Sequence, residues 1–253
     1  MGKIISVSNQ KGGVGKTTTT VNVAAFLAEK GKRVLIIDID PQGNAGFGIG
    51  INAEEMETTL YEVLLDEIPI EEAIFKTEIE GLSIIPSNIH LSGAQVDLLD
   101  AEGKEFILKK KLGTIKNHYD YIFIDCPPSL GILTLNSLVA ADSVLIPLQC
   151  EYYALEGINQ LLRIIVMVQE NLNKALKIEG VVLTMYDPRT NLSQQVVSDV
   201  REYFQNKVFN SIIPRNVKLS EAPSFGKPIG LYDKTCPGSV TYEKLAEEVL
   251  NND

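Results

Sequence analysis

Residues 3–18 read KIISVSNQKGGVGKTT, and this stretch decides the fold class. Its first part, Ile4–Ser8, is an apolar, β-branched run that predicts a strand. The helical periodicity of Thr17–Lys30 predicts a helix directly after the glycines. A strand, a glycine-rich turn and a helix in this order place backbone N–H groups and the positive end of the helix around a phosphate. The stretch therefore predicts a phosphate-binding loop after the first strand of an α/β fold.

The glycine loop carries the residue types that hold a nucleotide. Glycines allow backbone conformations that other residues rarely adopt, so that N–H groups converge on the anion. Lys16 would reach the β- and γ-phosphates, the Thr17 hydroxyl would bind Mg²⁺, and Thr18 would donate to the α-phosphate. The predicted nucleotide-binding residues of the loop are Lys11, Gly12, Gly13, Val14, Gly15, Lys16, Thr17 and Thr18.

The loop departs from the common pattern GxxxxGK[ST] at one position. That pattern expects glycine where this chain has Gln10, whereas the pattern KGGxGK[ST] is complete. A second lysine, Lys11, consequently lies within the loop. Its ammonium group could contact the nucleotide of its own chain or a phosphate bound by a second subunit.

Two acidic segments follow predicted strands. Asp125 ends one apolar run and precedes Cys-Pro-Pro, while Asp38 and Asp40 follow another. The carboxyl ends of parallel strands are where α/β folds bind ligands, and alternation puts Asp38 and Asp40 on the same side of the chain. Each segment alone could be an aspartate that starts a turn. Together with the glycine loop they predict a Mg²⁺ site formed by Thr17, Asp40 and Asp125.

Short apolar runs alternate with longer helical patterns along the chain. The alternation predicts a doubly wound α/β fold, a mostly parallel twisted sheet with helices on both faces. No repeat or Gly/Ser linker divides the sequence, so residues 1–253 are predicted to form a single domain. The predicted strands are Ile4–Ser8, Val34–Asp38, Leu82–Pro86, Tyr121–Asp125, Ser143–Leu148, Gly180–Met185 and Val208–Ile213. The predicted helices are Thr17–Lys30, Leu91–Leu99, Glu105–Asn117, Thr134–Ala141, Leu155–Asn173, Ser193–Gln205 and Val240–Leu250.

The composition is that of an ordinary globular protein, with 45% hydrophobic and 22% charged residues. No apolar run approaches the roughly 20 residues of a membrane helix, so an integral membrane protein is not expected. The first residues show no signal-peptide pattern, and the three cysteines are widely spaced without a CxxC pair. A reducing compartment, the cytosol, is therefore expected.

The net charge of −10 is concentrated in one segment. Residues 51–80 hold ten acids and one base, whereas residues 185–235 hold seven bases and five acids. The simplest interpretation of the acidic run is a solvated helix face. The same charge would repel nucleic acid from that part of the surface and leave the basic part to approach it.

The KGGVGKTT loop resembles the deviant Walker A class of P-loop ATPases, which includes the ParA/Soj partition ATPases, MinD and the nitrogenase iron protein. Other segments are similar to Soj-type chromosomal ParA almost from end to end: DIDPQGN from Asp38, DCPPS from Asp125, QCEYYALEG from Gln149, DPRTN from Asp187 and IPRNVKLSEAP from Ile213. The resemblance implies a slow, Mg²⁺-dependent ATPase of chromosome or plasmid partition. Its ATP-bound sandwich dimer would bind double-stranded DNA without sequence preference. A ParB-type centromere-binding protein would stimulate hydrolysis and release, and the protein would be cytoplasmic and nucleoid-associated.

The resemblance also implies roles for individual residues of the loop and the acidic segments. Lys11 would cross the dimer interface to the partner's nucleotide. Asp40 would position or activate the attacking water, and Asp125 would act on Mg²⁺ through a bound water. Lys11, Lys16 and Asp40 are thus the predicted catalytic residues.

The resemblance also implies that residues further along the chain contact the adenine base of the nucleotide and the phosphates of DNA. Pro214 and Asn216 would lie beside the adenine, although Pro-Arg-Asn alone would be interpreted as a turn. Arg189 and Lys218 would contact DNA phosphates, and phosphate contact suits flexible cations in loops. Taken singly, each of these cations could equally be solvated surface charge. Further candidates for DNA contact are Arg215, Lys227 and Lys234.

Several alternatives remain within the wider fold class. A MinD-like membrane switch is disfavoured because the segment Thr241–Asp253 is acidic and lacks a basic amphipathic helix. An iron protein is disfavoured by the spacing of the cysteines, and a larger plasmid-type ParA by the absence of a segment before the first strand. An ATP-dependent synthetase or kinase would need a small-molecule pocket that the sequence does not reveal. A scaffold that does not hydrolyse ATP is disfavoured because Lys16, Thr17, Asp40 and Asp125 are all present.

Overall fold

The strands of the molecule form one sheet. The computed structural model describes residues 2–98, 101–152 and 154–252. Within them the strands are β1 (Lys3–Val7), β2 (Val34–Asp38), β3 (Phe75–Lys76), β4 (Leu82–Ile85), β5 (Tyr121–Asp125), β6 (Ser143–Gln149) and β7 (Lys177–Thr184). They lie in the order β3-β4-β2-β5-β1-β6-β7. All neighbouring pairs are parallel except β3 and β4.

Among the described residues, helices lie between the strands up to β7, and four more follow β7. They are α1 (Lys16–Glu29), α2 (Asn44–Phe47), α3 (Leu60–Leu64), α4 (Leu91–Asp97), α5 (Ile107–Ile115), α6 (Ile132–Ala140), α7 (Ala154–Asn171), α8 (Asn191–Phe204), α9 (Val217–Glu221), α10 (Ile229–Tyr232) and α11 (Pro237–Asn251). In the described part of the chain, none of these helices combines the length and apolar character needed to cross a bilayer.

Alternate residues of each strand enter two separate hydrophobic cores. Ile4 and Leu35 lie in the core beneath α5, α6 and α7, whereas Ile5 and Ile36 lie in the core beneath α1 and α11. Both sides of a strand are therefore buried, which explains why the strands are nearly continuous apolar runs. The predicted doubly wound, mostly parallel α/β fold is confirmed.

One predicted strand is wrong, and one short strand was not predicted. Residues 208–213, predicted as a strand, form only one isolated bridge, Val208 to Val181, and the next residue, Pro214, forms another with Tyr186. Phe209 fills the core from an irregular segment, because Gly180 leaves room for its ring: a Cβ at Gly180 would lie 2.5 Å from it. The apolar pattern thus reflects packing rather than a strand. The missed strand, β3, has two residues and no periodicity of its own.

The remaining boundaries differ from the prediction by a few residues. The predicted helix Leu91–Leu99 is helical to Asp97, and Leu99 lies outside the described residues. The carboxyl ends of β1, β2 and β5 meet in register, with Val7 and Asp38 on either side of Asp125. This arrangement brings the glycine loop and both acidic segments to one edge of the sheet.

Candidate nucleotide-binding site

The glycine loop joins the end of β1 to the start of α1. Gly13 and Gly15 have φ angles of +72° and +88°, in the left-handed region that favours glycine. Gly15 is the N-cap residue of α1, and its carbonyl accepts the first helical hydrogen bond from Thr19 N at 2.9 Å. The backbone N–H groups of the first helical turn are therefore available to an anion at this end of the helix.

Two side chains outside the motif hold the loop in place. The Asn9 side chain donates to the Pro147 carbonyl at 2.7 Å and accepts from Lys11 N at 3.0 Å. The Thr184 hydroxyl, at the end of β7, donates to the Val14 carbonyl at 2.9 Å. Both side chains are buried. The sequence did not identify either residue as part of the site, because nothing local to Thr184 links it to a loop 170 positions earlier.

Lys16 lies in the centre of the site. Its side chain is largely buried, and its Nζ donates to the Lys11 carbonyl at 3.2 Å. Burial lowers the pKa of the ammonium group, and the nearby carboxylate of Asp125 opposes that shift. An ammonium group with one protein partner retains donors for a phosphate oxygen.

Asp125 is fully buried behind the loop. Its Oδ1 accepts from the Thr20 hydroxyl at 3.1 Å, while its Oδ2 has no hydrogen-bond partner among the described residues. Burial raises the pKa of Asp125 to about 7, and the hydroxyls of Thr17 and Thr20 oppose this shift. Burial, and then the charge of Asp125, raise the pKa of Asp38 well above its usual range. A cation near the Oδ2 atom would offset the cost of burying this charge.

The two aspartates of the second acidic segment have different environments. The Asp38 carboxylate is completely buried and accepts from the backbone N–H groups of Asp40 at 3.1 Å and Ala45 at 2.9 Å. The Ser87 hydroxyl donates to the Asp40 carbonyl at 2.8 Å. Asp38 thus stabilises the turn that follows β2, whereas Asp40 lines the larger of the two cavities described next.

Two adjoining cavities, of about 520 Å³ and 290 Å³, lie beside the glycine loop. Gly15, Thr18 and Met185 line both of them. Pro214 and Asn216 line the smaller cavity, where the Asn216 Oδ1 is already occupied by Lys218 N at 2.9 Å. The predicted residues that line the larger cavity are Gly12, Gly13, Gly15, Lys16, Thr17, Thr18 and Asp40. The predicted residues that line neither are Lys11, Val14 and Asp125.

Comparison with known proteins gives the family. A family model described as an AAA domain matches residues 2–178. The sporulation initiation inhibitor protein Soj of Bacillus subtilis is 56% identical over 252 residues, covering 100% of both chains. The chromosome partitioning protein ParA of Myxococcus xanthus is 54% identical, covering 100% of this chain and 89% of that protein. The chain belongs to the ParA/Soj family of chromosome-partitioning ATPases.

Among solved structures, one similar to this ParA/Soj chain is the cobyrinic acid a,c-diamide synthase from Mycobacterium smegmatis with bound ADP and magnesium. It is 39% identical, with a TM-score of 0.87, and the match covers 99% of this chain and 95% of the synthase. The family predicted from the loop and the flanking motifs is confirmed by the curated relatives.

In this ParA/Soj chain the loop residue Lys11 lines neither of the two cavities. Its Nζ lies 3.0 Å from the Glu151 Oε2 in a half-exposed ion pair. Glu151 also accepts from the Gln149 side chain at 2.6 Å and lies 3.9 Å from an Arg215 nitrogen. The ion pair with Glu151 thus holds the Lys11 ammonium group outside the two cavities.

The two DNA candidates carry intramolecular ion pairs. The Arg189 guanidinium donates to both oxygens of Asp187, at 2.9 and 2.7 Å. The Lys218 ammonium donates to Glu221 at 2.9 Å and lies over the Tyr232 ring. Ion pairs at exposed positions are weak, so a phosphate can replace the carboxylate. Lys227, by contrast, lines the larger cavity.

Proposed function

We propose that this chain is a Mg²⁺-dependent partition ATPase whose ATP-bound homodimer binds DNA without sequence preference. The observation that carries the proposal is the joint lining of one cavity by the glycine loop, Lys16 and Asp40. The buried Asp125 lies close to Lys16 and Thr17, and its Oδ2 has no hydrogen-bond partner among the described residues. Membership of the ParA/Soj family supports the same conclusion.

The loop residues would bind the phosphates of ATP. Their N–H groups would surround the β-phosphate, and the Lys16 ammonium would move from the Lys11 carbonyl to a phosphate oxygen. Pro214 and Asn216 would hold the adenine in the smaller cavity, where the Asn216 amide nitrogen remains available to donate.

The residues beside the loop fit Mg²⁺ bound together with a nucleotide. Mg²⁺ in such sites has one or two protein ligands, with phosphate and water oxygens as the others. Thr17 would supply a hydroxyl oxygen, and the buried Asp125 Oδ2 would bind through a water. When bound, Mg²⁺ would supply positive charge to the phosphates.

Hydrolysis would depend on Asp40 and Lys11. The Asp40 Oδ1 accepts from Gln42 N at 3.0 Å, so its second oxygen can orient a water at the cavity wall. Lys11 would leave Glu151 and reach the phosphates bound by a second subunit, which would couple dimerisation to ATP.

DNA binding would follow from the dimer. If each subunit neutralises about three phosphates through Arg189, Lys218 and their neighbours, the slope of log affinity against log salt is about −5. Hydrolysis stimulated by a ParB-type centromere-binding protein would release the dimer, and the protein would be cytoplasmic and nucleoid-associated.

Two alternative functions receive less support. One is a synthase like the Mycobacterium smegmatis protein, but the chromosome partitioning protein ParA of Myxococcus xanthus is more similar to this chain, with 54% identity against 39%. A membrane switch would need a free apolar helix face, whereas Tyr242, Leu245 and Val249 of α11 are buried in the core beneath α1.

DNA binding by the Asp40→Ala variant tests the proposal. The variant should dimerise with ATP·Mg²⁺ without hydrolysing it and should bind DNA of unrelated sequences in that state but not with ADP·Mg²⁺. Lys16→Ala, which should lose ATP binding, is the control. Equal DNA binding in both nucleotide states, or a salt slope near −1, would contradict the proposal, as would ATP turnover that depends on a metabolite.

A further inference from the structure

Lys227 occupies an unexpected place at the nucleotide cavity. The charged side chains that line the larger cavity are Lys16, Asp40 and Lys227. Lys227 is exposed, and in the described part of the chain no carboxylate lies within ion-pair distance of it. A cation at a cavity wall with no acidic partner is available to an anionic ligand.

The backbone around Lys227 is fixed to the helix that follows the glycine loop. Asn22, on α1, accepts from Ile229 N at 2.6 Å and donates to the Thr18 carbonyl at 2.7 Å. Lys227 N itself donates to the Ala222 carbonyl at 3.3 Å. These hydrogen bonds therefore fix the position of the Lys227 backbone relative to the glycine loop.

A second constraint comes from the segment that carries Asp40. Gly50 and Gly226 both have positive φ, +81° and +62°, and their backbones touch. A Cβ at Gly226 would lie 2.8 Å from the Gly50 Cα, and a Cβ at Gly50 would lie 3.2 Å from the Gly226 carbonyl oxygen. Gly226 immediately precedes Lys227, so the two walls of the cavity meet next to this lysine.

We propose that Lys227 is a further phosphate-contacting residue of the nucleotide site, positioned by the contact between Gly50 and Gly226. This inference rests on the proposed ATP binding. The phosphates of ATP carry several negative charges, and the cavity otherwise offers them one lysine, Lys16, facing one aspartate, Asp40. A charge-assisted contact from a second lysine adds affinity without a role in DNA binding.

The test compares substitutions that remove or keep the charge. We expect Lys227→Gln to raise the dissociation constant of ATP·Mg²⁺ about tenfold, as for the loss of one charge-assisted hydrogen bond. Lys227→Arg should stay near the value of the unsubstituted protein. Lys244→Gln, which removes an exposed lysine of α11 that lines neither cavity, is the matched control.

Equal ATP affinity for Lys227→Gln and the unsubstituted protein would overturn the inference and leave the proposed function intact. Loss of DNA binding by Lys227→Gln at unchanged ATP affinity would overturn it as well and restore the role suggested by the sequence. If the unsubstituted protein does not bind ATP, the proposed function and the inference both fail.

Gly50→Ala tests the positioning step from outside the Lys227 segment. The added methyl group should displace the Gly226 carbonyl and weaken ATP binding. Gly31→Ala is the matched control, because Gly31 has φ +79° and nothing within 4 Å of an added Cβ. If the effect acts through Lys227, Gly50→Ala should change ATP affinity little in a Lys227→Gln background. Full additivity of the two substitutions would refute the positioning role.

Discussion

Asp38 and Asp125 lie side by side in register on adjacent parallel strands, and both side chains are completely buried. The Asp38 side chain accepts hydrogen bonds from two backbone N–H groups, whereas one oxygen of Asp125 has no hydrogen-bond partner among the described residues. Two carboxyl groups this close do not ionise readily together. The free protein therefore carries an electrostatic cost at the place where a cation would bind.

The stability of the nucleotide-free protein should fall as the pH rises towards 8. The pKa of Asp125 is raised by burial to about 7, so folding favours its protonated form. The stabilisation is complete below the unfolded pKa near 4 and is lost progressively as the pH rises to about 7, in total on the order of 4 kcal/mol. Urea denaturation at several pH values, without nucleotide or Mg²⁺, measures this dependence.

Asp125→Asn is the control for that pH dependence. The amide keeps an acceptor for the Thr20 hydroxyl but cannot ionise, so the fall in stability between pH 5 and 8 should become smaller. The part that remains belongs to Asp38, whose pKa burial also raises. Mg²⁺·ADP should stabilise the unsubstituted protein more at pH 8 than at pH 6. A pH dependence that is the same in both proteins would show that Asp125 is not its source.

Thr184→Val should loosen the glycine loop from the end of β7. Valine has nearly the same shape as threonine but cannot donate to the Val14 carbonyl, which becomes a buried acceptor without its partner. We expect a loss of about 1 kcal/mol in stability and a fall of about fivefold in ATP affinity. Thr114→Val, at an exposed hydroxyl bonded within its own helix, is the control. Unchanged ATP affinity would mean that the loop does not need this anchor.

The sequence predicted the parts of the site whose signals are local. The glycine loop has a fixed spacing, and the strand before Asp125 is an unbroken apolar run because both of its faces are buried. The strand predicted over residues 208–213 was wrong because Phe209 and Ile213 enter the core from irregular backbone. Apolar periodicity reports burial, and burial alone does not require a strand.

The contacts that the sequence could not predict join distant segments. Thr184 reaches the loop across 170 positions, and Gly226 meets Gly50. Lys227 shows that the sequence gives the charge of a residue but not its position in the fold. The sequence identified Lys227 as part of a basic segment, but only the fold shows that it lines the larger cavity. The position of a charge depends on long-range packing, which a single sequence does not encode locally.

Glu151→Gln should favour the ATP-dependent dimer. The half-exposed ion pair with Glu151 holds the Lys11 ammonium group in its present position, and the amide would hold it less strongly. Lys11 would then reach a second subunit at lower cost. Size-exclusion chromatography over a range of ATP·Mg²⁺ concentrations measures this effect. The variant should form dimers at lower ATP·Mg²⁺ concentrations than the unsubstituted protein, and neither should form dimers in the absence of ATP.

Glu170→Gln removes an exposed carboxylate further along α7 and is the control for that charge change. It should dimerise like the unsubstituted protein. If both variants behave alike, or if Glu151→Gln dimerises less, Glu151 does not restrain Lys11.

Asp187→Asn should strengthen DNA binding by the ATP-bound dimer, about threefold at moderate salt. The hydrogen bonds from Arg189 hold the pKa of Asp187 at about 2, so this carboxylate stays charged and competes with DNA phosphates for the guanidinium. Asparagine keeps an acceptor for the Arg189 backbone N–H and removes the competing charge. Asp199→Asn, with the same charge change on α8, should have a smaller effect. In an Arg189→Gln background the gain from Asp187→Asn should vanish, and a gain that persists there would exclude Arg189 as the phosphate contact.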